Sequence, residues 1–402
     1  MACDLKEEGL APAIDLLVEQ GLAGLTIRAV AARTKVSASS LVYRYKNRDG
    51  VLKAVMQAVM RSDESLWQTR RETLLHKELT RRDLPSLARS IYIEQAIVYR
   101  TAYLALWEFE LAAERDPLLR GSVLAWRQQD IDFWEDCFGR VGLDVNLAPL
   151  WASGLLALFR VLLLAPPSSI SLSWIEDTVA RLFERLTGEQ PSRKTDSVWR
   201  QMAETPVSRP VDLPEDESST PYRIISAASA VILQNGLDGL THRSIAERAS
   251  VSLSSMTHHF KALEDIIIAA FWKIYRDARA QAEVVPKLRG RYSREEFLTD
   301  ILPRLGGENQ TGQAAASAME SILLRATRRP PMQETAIALF ALMGATSTSF
   351  LQSLSDAERD FDRLDGHVFR LVLSGTKTLQ GARTLGDPGG PHYQFVRAFI
   401  GL

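Results

Sequence analysis

Basic and hydroxyl side chains are concentrated in one short stretch of the chain, residues 21–53, which reads GLAGLTIRAVAARTKVSASSLVYRYKNRDGVLK. It holds seven Arg and Lys residues against one acid, so its net charge is +6. Guanidinium and ammonium groups bind phosphates, and an arginine can also make two hydrogen bonds to a guanine edge. The whole chain has a formal net charge of −1, so any affinity for nucleic acid must come from such a local cluster.

The same stretch recurs at residues 236–268 as GLDGLTHRSIAERASVSLSSMTHHFKALEDIII, 215 positions further along the chain. Two copies at so long a period indicate a duplicated domain and not a solenoid. The second copy has three basic residues against four acids, a net charge of −1, so the copies are unequal in charge. The matched residues include Gly21 with Gly236, Thr26 with Thr241, Arg28 with Arg243, Arg33 with Arg248, Ser37 with Ser252 and Lys46 with Lys261.

The elements that must position these side chains are short helices. Thr26 is a cap-forming residue, and it predicts a helix that ends at about Thr34. A three-residue turn then ends at Ser37, which predicts a second short helix over 38–44, and Asn47 predicts the start of a longer one. Two short helices joined by such a turn are a helix-turn-helix, the arrangement that places its second helix in the DNA major groove.

Both copies resemble the DNA-binding domain of the tetracycline-repressor (TetR) family. The family pattern has Gly-x-x-Gly/Leu-Thr-Thr, an Ile-Ala pair, Gly-Val-Ser, and Leu-Tyr-x-His-Phe-Lys-x-Lys-Glu-x-Leu. Its turn glycine is replaced by Lys35 and Ser250, and its phosphate-contacting tyrosine by Val42 and Thr257. The residues that fall into the last part of the pattern without a gap are Leu41, Tyr43, Tyr45, Lys46, Asn47, Arg48, Asp49 and Leu52, then Met256, His259, Phe260, Lys261, Glu264 and Ile266.

The resemblance implies an all-α fold in which each helix-turn-helix is followed by a helical-bundle lobe for ligand binding and dimerisation, so that the chain is a single-chain pseudo-dimer. A chain of 402 residues with 46% hydrophobic content can bury the cores that this requires. Within the lobes, apolar spacing predicts single helices over 84–113, 333–354 and 356–382. The expected domains are a first helix-turn-helix at 1–53, a first lobe at 54–187, a proline-rich linker at 188–220, a second helix-turn-helix at 221–268, a second lobe at 269–385 and a tail of unassigned role at 386–402.

The resemblance also places the DNA contacts on the second short helix of each copy and at the N-terminus of the helix before it. Arg28 or Arg44 could grip a guanine edge, worth about 1–3 kcal/mol of discrimination, while Lys46, Arg48 and Lys261 suit phosphates. Because the outward positions differ between the copies, we expect an operator of two unequal half-sites; the alternative is a second copy kept only for pairing. The expected contacts are Arg28, Ala38, Ser39, Ser40, Tyr43, Arg44, Lys46 and Arg48 in the first copy, and Arg243, Leu253, Ser254, Ser255, His258, His259 and Lys261 in the second.

Aromatic residues recur at helical spacing in the first lobe, at Tyr92, Tyr99, Tyr103 and Trp107. Core packing is the ordinary explanation of such a stripe. The alternative is a binding site for a small apolar or aromatic effector, with Trp126 also in contact, because three tyrosine hydroxyls on one buried face each need a hydrogen-bond partner. The matching helix of the second lobe carries Ala314, Ala318 and Ile322 instead, so only one lobe would bind the effector in this way.

Other functional classes find little support in the sequence. His258 and His259 are adjacent and point about 100° apart on a helix, so they cannot share a metal as an i, i+4 pair would. Asp132 and Asp136 have that spacing but no histidine joins them, and we expect them on a solvated face. We therefore expect no enzymatic activity, no cofactor and no metal. The two cysteines suggest neither a disulfide framework nor a metal site, and the longest apolar run is too short to span a bilayer.

The sequence thus predicts a cytoplasmic, ligand-responsive transcriptional regulator that binds double-stranded DNA and is released by a small-molecule effector. Repression is the usual action in this family. The resemblance implies that the halves pair within one chain through residues 147–187 and 333–382. We therefore expect a monomeric chain that does not bind membranes. Two alternatives remain: a further dimer with four DNA-binding heads, and a ligand-binding or protein-interaction module whose heads no longer bind DNA.

Overall fold

A computed structural model describes residues 10–164, 167–189, 213–302, 310–357, 360–376 and 390–402. Within these ranges the secondary structure is helical, and the β-type pairing consists of one isolated bridge between Tyr292 and Leu354. The all-α class predicted from the sequence is confirmed. Most of the predicted linker lies outside the described residues.

In the first half, three short helices precede a long one and then the helices of a bundle. They are α1 (Ala11–Gly24), α2 (Ile27–Thr34), α3 (Ala38–Tyr45), α4 (Arg48–Leu74), α5 (Asp83–Ile97), α6 (Arg100–Ala113), α7 (Pro117–Arg140), α8 (Ala148–Leu164) and α9 (Ser169–Thr187).

The second half repeats this order, with one turn of α-helix at Arg294–Glu296 and a π-helical turn at Phe297–Ile301 in place of a long helix. Its main helices are α10 (Thr220–Asn235), α11 (His242–Ala249), α12 (Leu253–His259), α13 (Leu263–Arg289), α14 (Gln310–Ala326), α15 (Pro330–Leu342), α16 (Ala345–Gln352), α17 (Arg363–Gly375) and α18 (Pro391–Ile400).

The chain forms two compact units, Met1–Ala152 and Ser153–Leu402. The first contains the helix-turn-helix of the first half and most of the lobe that follows it. The second begins within α8, so α9 packs in the same compact unit as the whole second half. Helices from the end of one half are therefore built into the core of the other.

Buried aromatic rings form the centre of the first unit. The ring of Phe133 lies 5.0 Å from Trp67 and 5.1 Å from Trp134, whose ring lies 5.9 Å from Trp151. All four side chains are buried, and the edge-to-face contacts match the geometry that aromatic quadrupoles favour. This cluster ties α4, α7 and the start of α8 together.

The core of the second unit is formed where helices of both halves meet. The Trp174 ring on α9 lies 5.5 Å from Phe340 and 5.4 Å from His367. Gly375 on α17 is so close to α8 that an added Cβ would lie 2.0 Å from the carbonyl oxygen of Ser153. A glycine is therefore required at this helix crossing.

Two helices predicted as continuous are broken. The prediction over 84–113 is wrong because the chain leaves helical geometry at Tyr99, with φ −108° and ψ 23°, between α5 and α6. The prediction over 333–354 is wrong because Gly344 adopts φ +91° between α15 and α16. A Cβ on Gly344 would lie 2.3 Å from the carbonyl oxygen of Gly366, so close packing of α17 accompanies this break.

The last part of the chain, residues 386–402, for which the sequence predicted no role, contains a helix. Among the described residues of the helix predicted over 356–382, helical structure begins at Arg363 as α17, which Asp362 caps, while residues 358–359 and 377–382 lie outside the described residues. Residues 390–402 contain α18, and the buried rings of Phe395 and Phe399 pack on Phe369, with centroid distances of 5.4 and 5.2 Å. The described part of the tail is thus a core helix of the second unit.

Two helical stretches are long and apolar enough, by length and composition alone, to cross a membrane. The first, Val145–Leu164, is almost entirely buried inside the protein, as the core helix of a soluble protein would be. The second, Pro330–Gln352, is interrupted at Gly344, which leaves two shorter helices. A membrane span needs about 20 continuous residues, so both stretches are weak evidence for a membrane protein.

Candidate nucleic-acid interface

The first DNA-binding head, defined as residues 11–53, has the local geometry of a helix-turn-helix. The Thr26 hydroxyl accepts a hydrogen bond from the Ala29 backbone N–H and starts α2. Lys35 ends that helix in the left-handed conformation, with φ 58° and ψ 23°. Ser37 then starts α3 by accepting from the backbone N–H of Ser40 at 3.1 Å. The caps predicted from the sequence are confirmed.

The second DNA-binding head, defined as residues 220–268, repeats this geometry at the matched positions. Thr241 and Ser244 form a capping box at the start of α11. Ser250 adopts the left-handed conformation, with φ 53°, and Ser252 caps α12. Both turns therefore place a residue other than glycine where the family pattern has glycine, although such residues seldom adopt positive φ. Ser219 caps the opening helix α10 of this head.

Most side chains expected to contact DNA from the first head are exposed on α3 or at its end, and Arg28 is exposed on α2. Leu41 points into the protein, while Tyr43 on the same helix is 93% exposed. The guanidinium of Arg44 lies 5.3 Å from the centre of the Tyr45 ring, which limits the directions it can take. The exposed residues of this surface, called the first reading face, are Arg28, Ala38, Ser39, Ser40, Tyr43, Arg44 and Lys46.

The second reading face carries different side chains at the matched places. Met256 is buried and holds α12 against the head, while Leu253 is 52% exposed. His258 and His259 are exposed, with ring centroids 5.2 Å apart. The residues expected on this face are Arg243, Leu253, Ser254, Ser255, His258, His259 and Lys261, all exposed except the half-buried Ser255. Leu253, which is larger than Ala38 at the matched position, can contact a thymine methyl group, as an alanine also can.

Arg48 differs from the other residues expected at the DNA. Its Nε donates to the carbonyl oxygen of Leu25 at 3.0 Å, and its Nη2 donates to that of Leu22 at 2.5 Å. The guanidinium thereby satisfies carbonyl groups at the end of α1. The sequence assigned Arg48 to phosphate binding, but these contacts give it a structural function within the head.

The two heads also differ in how their arginines are engaged. Arg243 donates to the Glu247 carboxylate at 2.8 Å, one helical turn further on, and this partner raises the pKa of the guanidinium. Its counterpart Arg28 has Ala32 at the position that matches Glu247. The described residues show no ion-pair partner for Arg28. The sequence counted Glu247 as a charge but did not reveal that it pairs with the expected DNA contact.

A further arginine contact is repeated in both heads with different chemistry. Arg33 pairs with Glu19 on α1, and at the matched positions Arg248 donates to the Gln234 side chain at 2.9 Å. Glu19 lies before residues 21–53, so the charge of +6 overstates the cationic charge that the first head offers to DNA.

The comparisons with known proteins bear directly on these two heads. Residues 10–55 and residues 224–270 each match the family model described as bacterial regulatory proteins, tetR family. Each head is a TetR-family DNA-binding domain, and the chain carries two of them in tandem. A comparison with curated proteins finds no match. The tandem matches identify a DNA-binding transcriptional regulator, and both TetR domains coincide with the heads described above.

The aromatic stripe of the first lobe is organised around a buried carboxylate. Asp63 accepts hydrogen bonds from the Tyr103 hydroxyl, from Trp126 Nε1 at 2.6 Å and from Trp67 Nε1 at 3.1 Å. Burial raises the pKa of Asp63, and the hydrogen bonds from Tyr103 and Trp126 oppose that rise. The sequence did not reveal this residue, although Asp63 and Trp67 have the i, i+4 spacing of a helical pair.

A second buried carboxylate holds the next tyrosine of the stripe. The Tyr92 hydroxyl lies 2.8 Å from Oδ1 of Asp130, and Arg127 Nη1 lies 3.3 Å from its Oδ2. Burial raises the pKa of Asp130 to about 6. Tyr92 and Tyr103 therefore find their partners within the protein, as core packing requires.

The remaining residues of the stripe divide between core and surface. Trp107 is buried on α6. Tyr99 is only half-buried because it lies at the break between α5 and α6. The stripe is consequently not one continuous helical face. One turn before Tyr99, the buried amide of Gln95 has no hydrogen-bond partner for its oxygen or nitrogen in the described part of the chain.

The side chains considered for metal or acid–base chemistry make ordinary contacts. Asp132 accepts from Gln128 at 2.7 Å, and Asp136 lies 3.7 Å from Arg140 on the same helix. Burial raises the pKa of Cys137 to about 12, which leaves the thiol protonated at neutral pH. The described residues contain no group of three His, Cys, Asp or Glu side chains that could hold a metal ion.

Proposed function

We propose that this regulator binds a double-stranded operator made of two unequal half-sites, one for each head. The observation that carries the proposal is the difference between the reading faces at matched positions. Tyr43 and Arg44 of the first face correspond to His258 and His259 of the second. In a symmetric homodimer the operator mirrors the twofold axis of the protein, whereas two different recognition helices need no palindrome.

The different surroundings of Arg28 and Arg243 support unequal contributions of the two heads to DNA affinity. Arg28 is available to a guanine or a phosphate, whereas Arg243 must first leave Glu247. The first head therefore supplies most of the affinity, and the second adds a weaker contact with its own sequence preference.

Selection of the operator from random duplexes tests this proposal. Each half-site is then replaced separately in a binding assay. We expect a larger loss when the first head's half-site is replaced. Equal losses from both replacements would contradict the inequality of the heads, and no loss from the second would identify that head as a pairing module only.

We also propose that the two halves pair within one chain, so that one monomer presents both heads. The packing of α9 with α15 and α17 inside one compact unit supports this pairing. The proposed domain limits follow those expected from the sequence, with α18 added to the second lobe. Light scattering tests the pairing: a mass of 44.8 kDa is expected, and twice that mass would indicate a dimer with four heads.

Regulation by a small apolar or aromatic effector in the first lobe completes the proposal, with repression as the action and the cytoplasm as the location. Effector binding would change the angle between the heads and lower DNA affinity. Gln95 supports a site here, because a buried amide without a partner can bind a polar group of a ligand.

The effector proposal is tested by thermal unfolding in the presence of a panel of aromatic acids and amides. A stabilising compound should release the operator from the wild type, and Tyr103→Ala should abolish that release. Gln95→Leu is the milder variant, since it removes only the amide. Unchanged release in both variants would assign the stripe to the core alone.

A further inference from the structure

A buried cluster of charged side chains joins α9 of the first half to α17 of the second. Arg185 makes two hydrogen bonds to Asp365, from Nε to Oδ1 at 2.8 Å and from Nη2 to Oδ2 at 2.7 Å. Arg181 Nη1 adds a contact of 2.9 Å to the same carboxylate. The side chains of Arg185 and Asp365 are each 1% exposed. Such paired geometry is what a charged group requires away from water.

Further contacts extend this cluster, again with arginines from the first half and acceptors from the second. Arg181 Nη1 lies 2.9 Å from Asp362, and Arg185 Nη2 donates to the carbonyl oxygen of Asp360 at 3.0 Å. A separate buried pair joins Arg160 of α8 to Glu320 of α14 at 2.7 Å. In each of these pairs the arginine comes from the first half and the carboxylate from the second.

The starts of the two packed helices explain why this arrangement is not symmetric. Ser168 and Ser171 form a capping box at the start of α9, and Asp362 and Asp365 form one at the start of α17. The serines cap without charge, and Ser168 is exposed. The aspartates cap their helix and also receive the arginines. A twofold interface between identical subunits would repeat every contact twice, but serines cannot replace the carboxylates in the second copy.

We propose that this cluster selects the pairing partner: it directs the first lobe to the second lobe and disfavours pairing of identical lobes from two chains. This inference rests on the intrachain pairing proposed above and names the residues that enforce it. Two first lobes would bury Arg185 without its carboxylate, while Arg181 would keep Glu184, 3.5 Å away on the same helix. Two second lobes would bury Asp365 without these arginines, while Glu320 would keep the nearby charge of Arg370. A buried charge without its partner is strongly destabilising, so both identical pairings are rejected.

Covalent linkage then decides between the lobes of one chain and those of another. Both choices make the same contacts, but a linked partner is present at a far higher effective concentration. The cluster supplies the preference for the unlike lobe, and the linker supplies the preference for the same chain.

Two full-length variants test the selection of partner by charge. Arg181→Asp with Arg185→Asp makes both lobes of one chain acidic at the cluster. Asp362→Arg with Asp365→Arg makes both lobes of another chain basic. Neither chain can then pair internally with matched charge, but an equimolar mixture can pair each lobe across chains. Light scattering should show a 1:1 complex of twice the one-chain mass in the mixture and not in either variant alone. Two variants that remain monomeric, with the wild-type unfolding midpoint and no complex on mixing, would overturn the proposal.

A milder pair of substitutions covers the case in which charge reversal prevents folding. Asp365→Ser keeps a capping residue of the kind found at Ser171 and removes the charge alone. Its unfolding midpoint should fall, and adding Arg185→Met should restore at least half of the loss. Failure of that restoration would overturn the role of the cluster. Intrachain pairing itself is tested separately, because a wild-type mass of twice 44.8 kDa would contradict it whatever these variants show.

Discussion

Arg243 of the second head donates to the carboxylate of Glu247 at 2.8 Å, whereas Arg28, its counterpart in the first head, has Ala32 at the matching position. The two heads thus share a fold and each has an arginine at this matched position. Among the described residues, Arg243 has an ion-pair partner there and Arg28 has none. The Glu247 carboxylate accounts for one unit of the seven-unit difference in net charge between residues 21–53 and residues 236–268, and it also occupies the arginine expected at the DNA.

Removal of the Glu247 carboxylate should strengthen DNA binding by the second head. Glu247→Ala frees Arg243 and removes a negative charge near the DNA phosphates, so affinity for the operator should rise about two- to fivefold at low salt, with a steeper salt dependence. Ala32→Glu is the matched change in the first head and should weaken binding. A fluorescence titration at several salt concentrations measures both, and unchanged affinity in both variants would show that neither arginine approaches DNA.

Mutations of the first reading face should distinguish side chains that contact bases from those that contact phosphates. Arg44→Ala should cost about 1–3 kcal/mol on the selected operator and relax its sequence preference. Lys46→Ala should weaken binding to all duplexes alike and reduce the salt slope by about 1. His259→Ala and Lys261→Ala are the matched changes in the second head. Identical effects of Arg44→Ala on all sequences would refute its assignment to a base.

The stability of the protein should depend on pH through Asp130. Its pKa is raised to about 6 by burial, above the value of 3.8 for an exposed aspartate. The folded state therefore holds a proton that the unfolded chain releases, so this group contributes stability below about pH 4 that is lost as pH rises to 6, by about 3 kcal/mol at most. Asp130→Asn should remove this contribution. Chemical denaturation of both proteins at pH 4.5 and pH 7 measures the difference, and parallel changes would contradict the raised pKa.

Loss of the Tyr103 hydroxyl, which donates to Asp63, should destabilise the protein more than loss of the Tyr99 hydroxyl at the helix break. Tyr103→Phe removes a donor from a buried carboxylate and should destabilise the protein by about 1–3 kcal/mol. Tyr99→Phe, at the half-buried end of the same stripe, should change stability by less than about 0.5 kcal/mol. Thermal unfolding compares them, and equal shifts would mean that Asp63 does not depend on Tyr103.

Two glycines should respond oppositely to alanine. Gly375→Ala would push a methyl group into the backbone of Ser153 and should destabilise the second unit by about 1–3 kcal/mol. Gly121→Ala lies inside α7 with nothing within 4 Å of the added Cβ, and it should stabilise by about 0.5–1 kcal/mol. Calorimetry of both variants provides the measurement. A neutral Gly375→Ala would mean that the helix crossing is looser than the structure shows.

Local signals in the sequence were enough to predict the heads. Thr26, Ser37 and Asn47 each cap the helix that follows them, and Gly21 and Gly236 both adopt positive φ at matched positions. Capping and left-handed turns involve residues three or four positions apart, so a sequence read in order reveals them. The all-α class follows from the same signals repeated along the chain.

Contacts between distant residues could not be predicted in this way. The acceptors that engage Arg48, Tyr103 and Arg185 lie 23 or more positions away along the chain. The break at Tyr99 leaves the helical spacing of the aromatic residues intact, so periodicity predicts one helix where there are two. The sequence assigned residues 147–187 to a pairing surface but did not indicate that Arg181 and Arg185 within it are buried. Burial depends on which helix of the other half lies opposite, and no local pattern encodes that.

The packing of α9 with α17 also affects how the regulator responds to its own abundance. A repressor assembled from two separate chains must dimerise before it binds, so at low levels its operator occupancy rises with the square of protein concentration. A chain that carries both heads and pairs internally has no such step, and its occupancy rises in direct proportion to concentration. A few molecules per cell would then suffice for control, and halving the gene dose would halve occupancy in the unsaturated range.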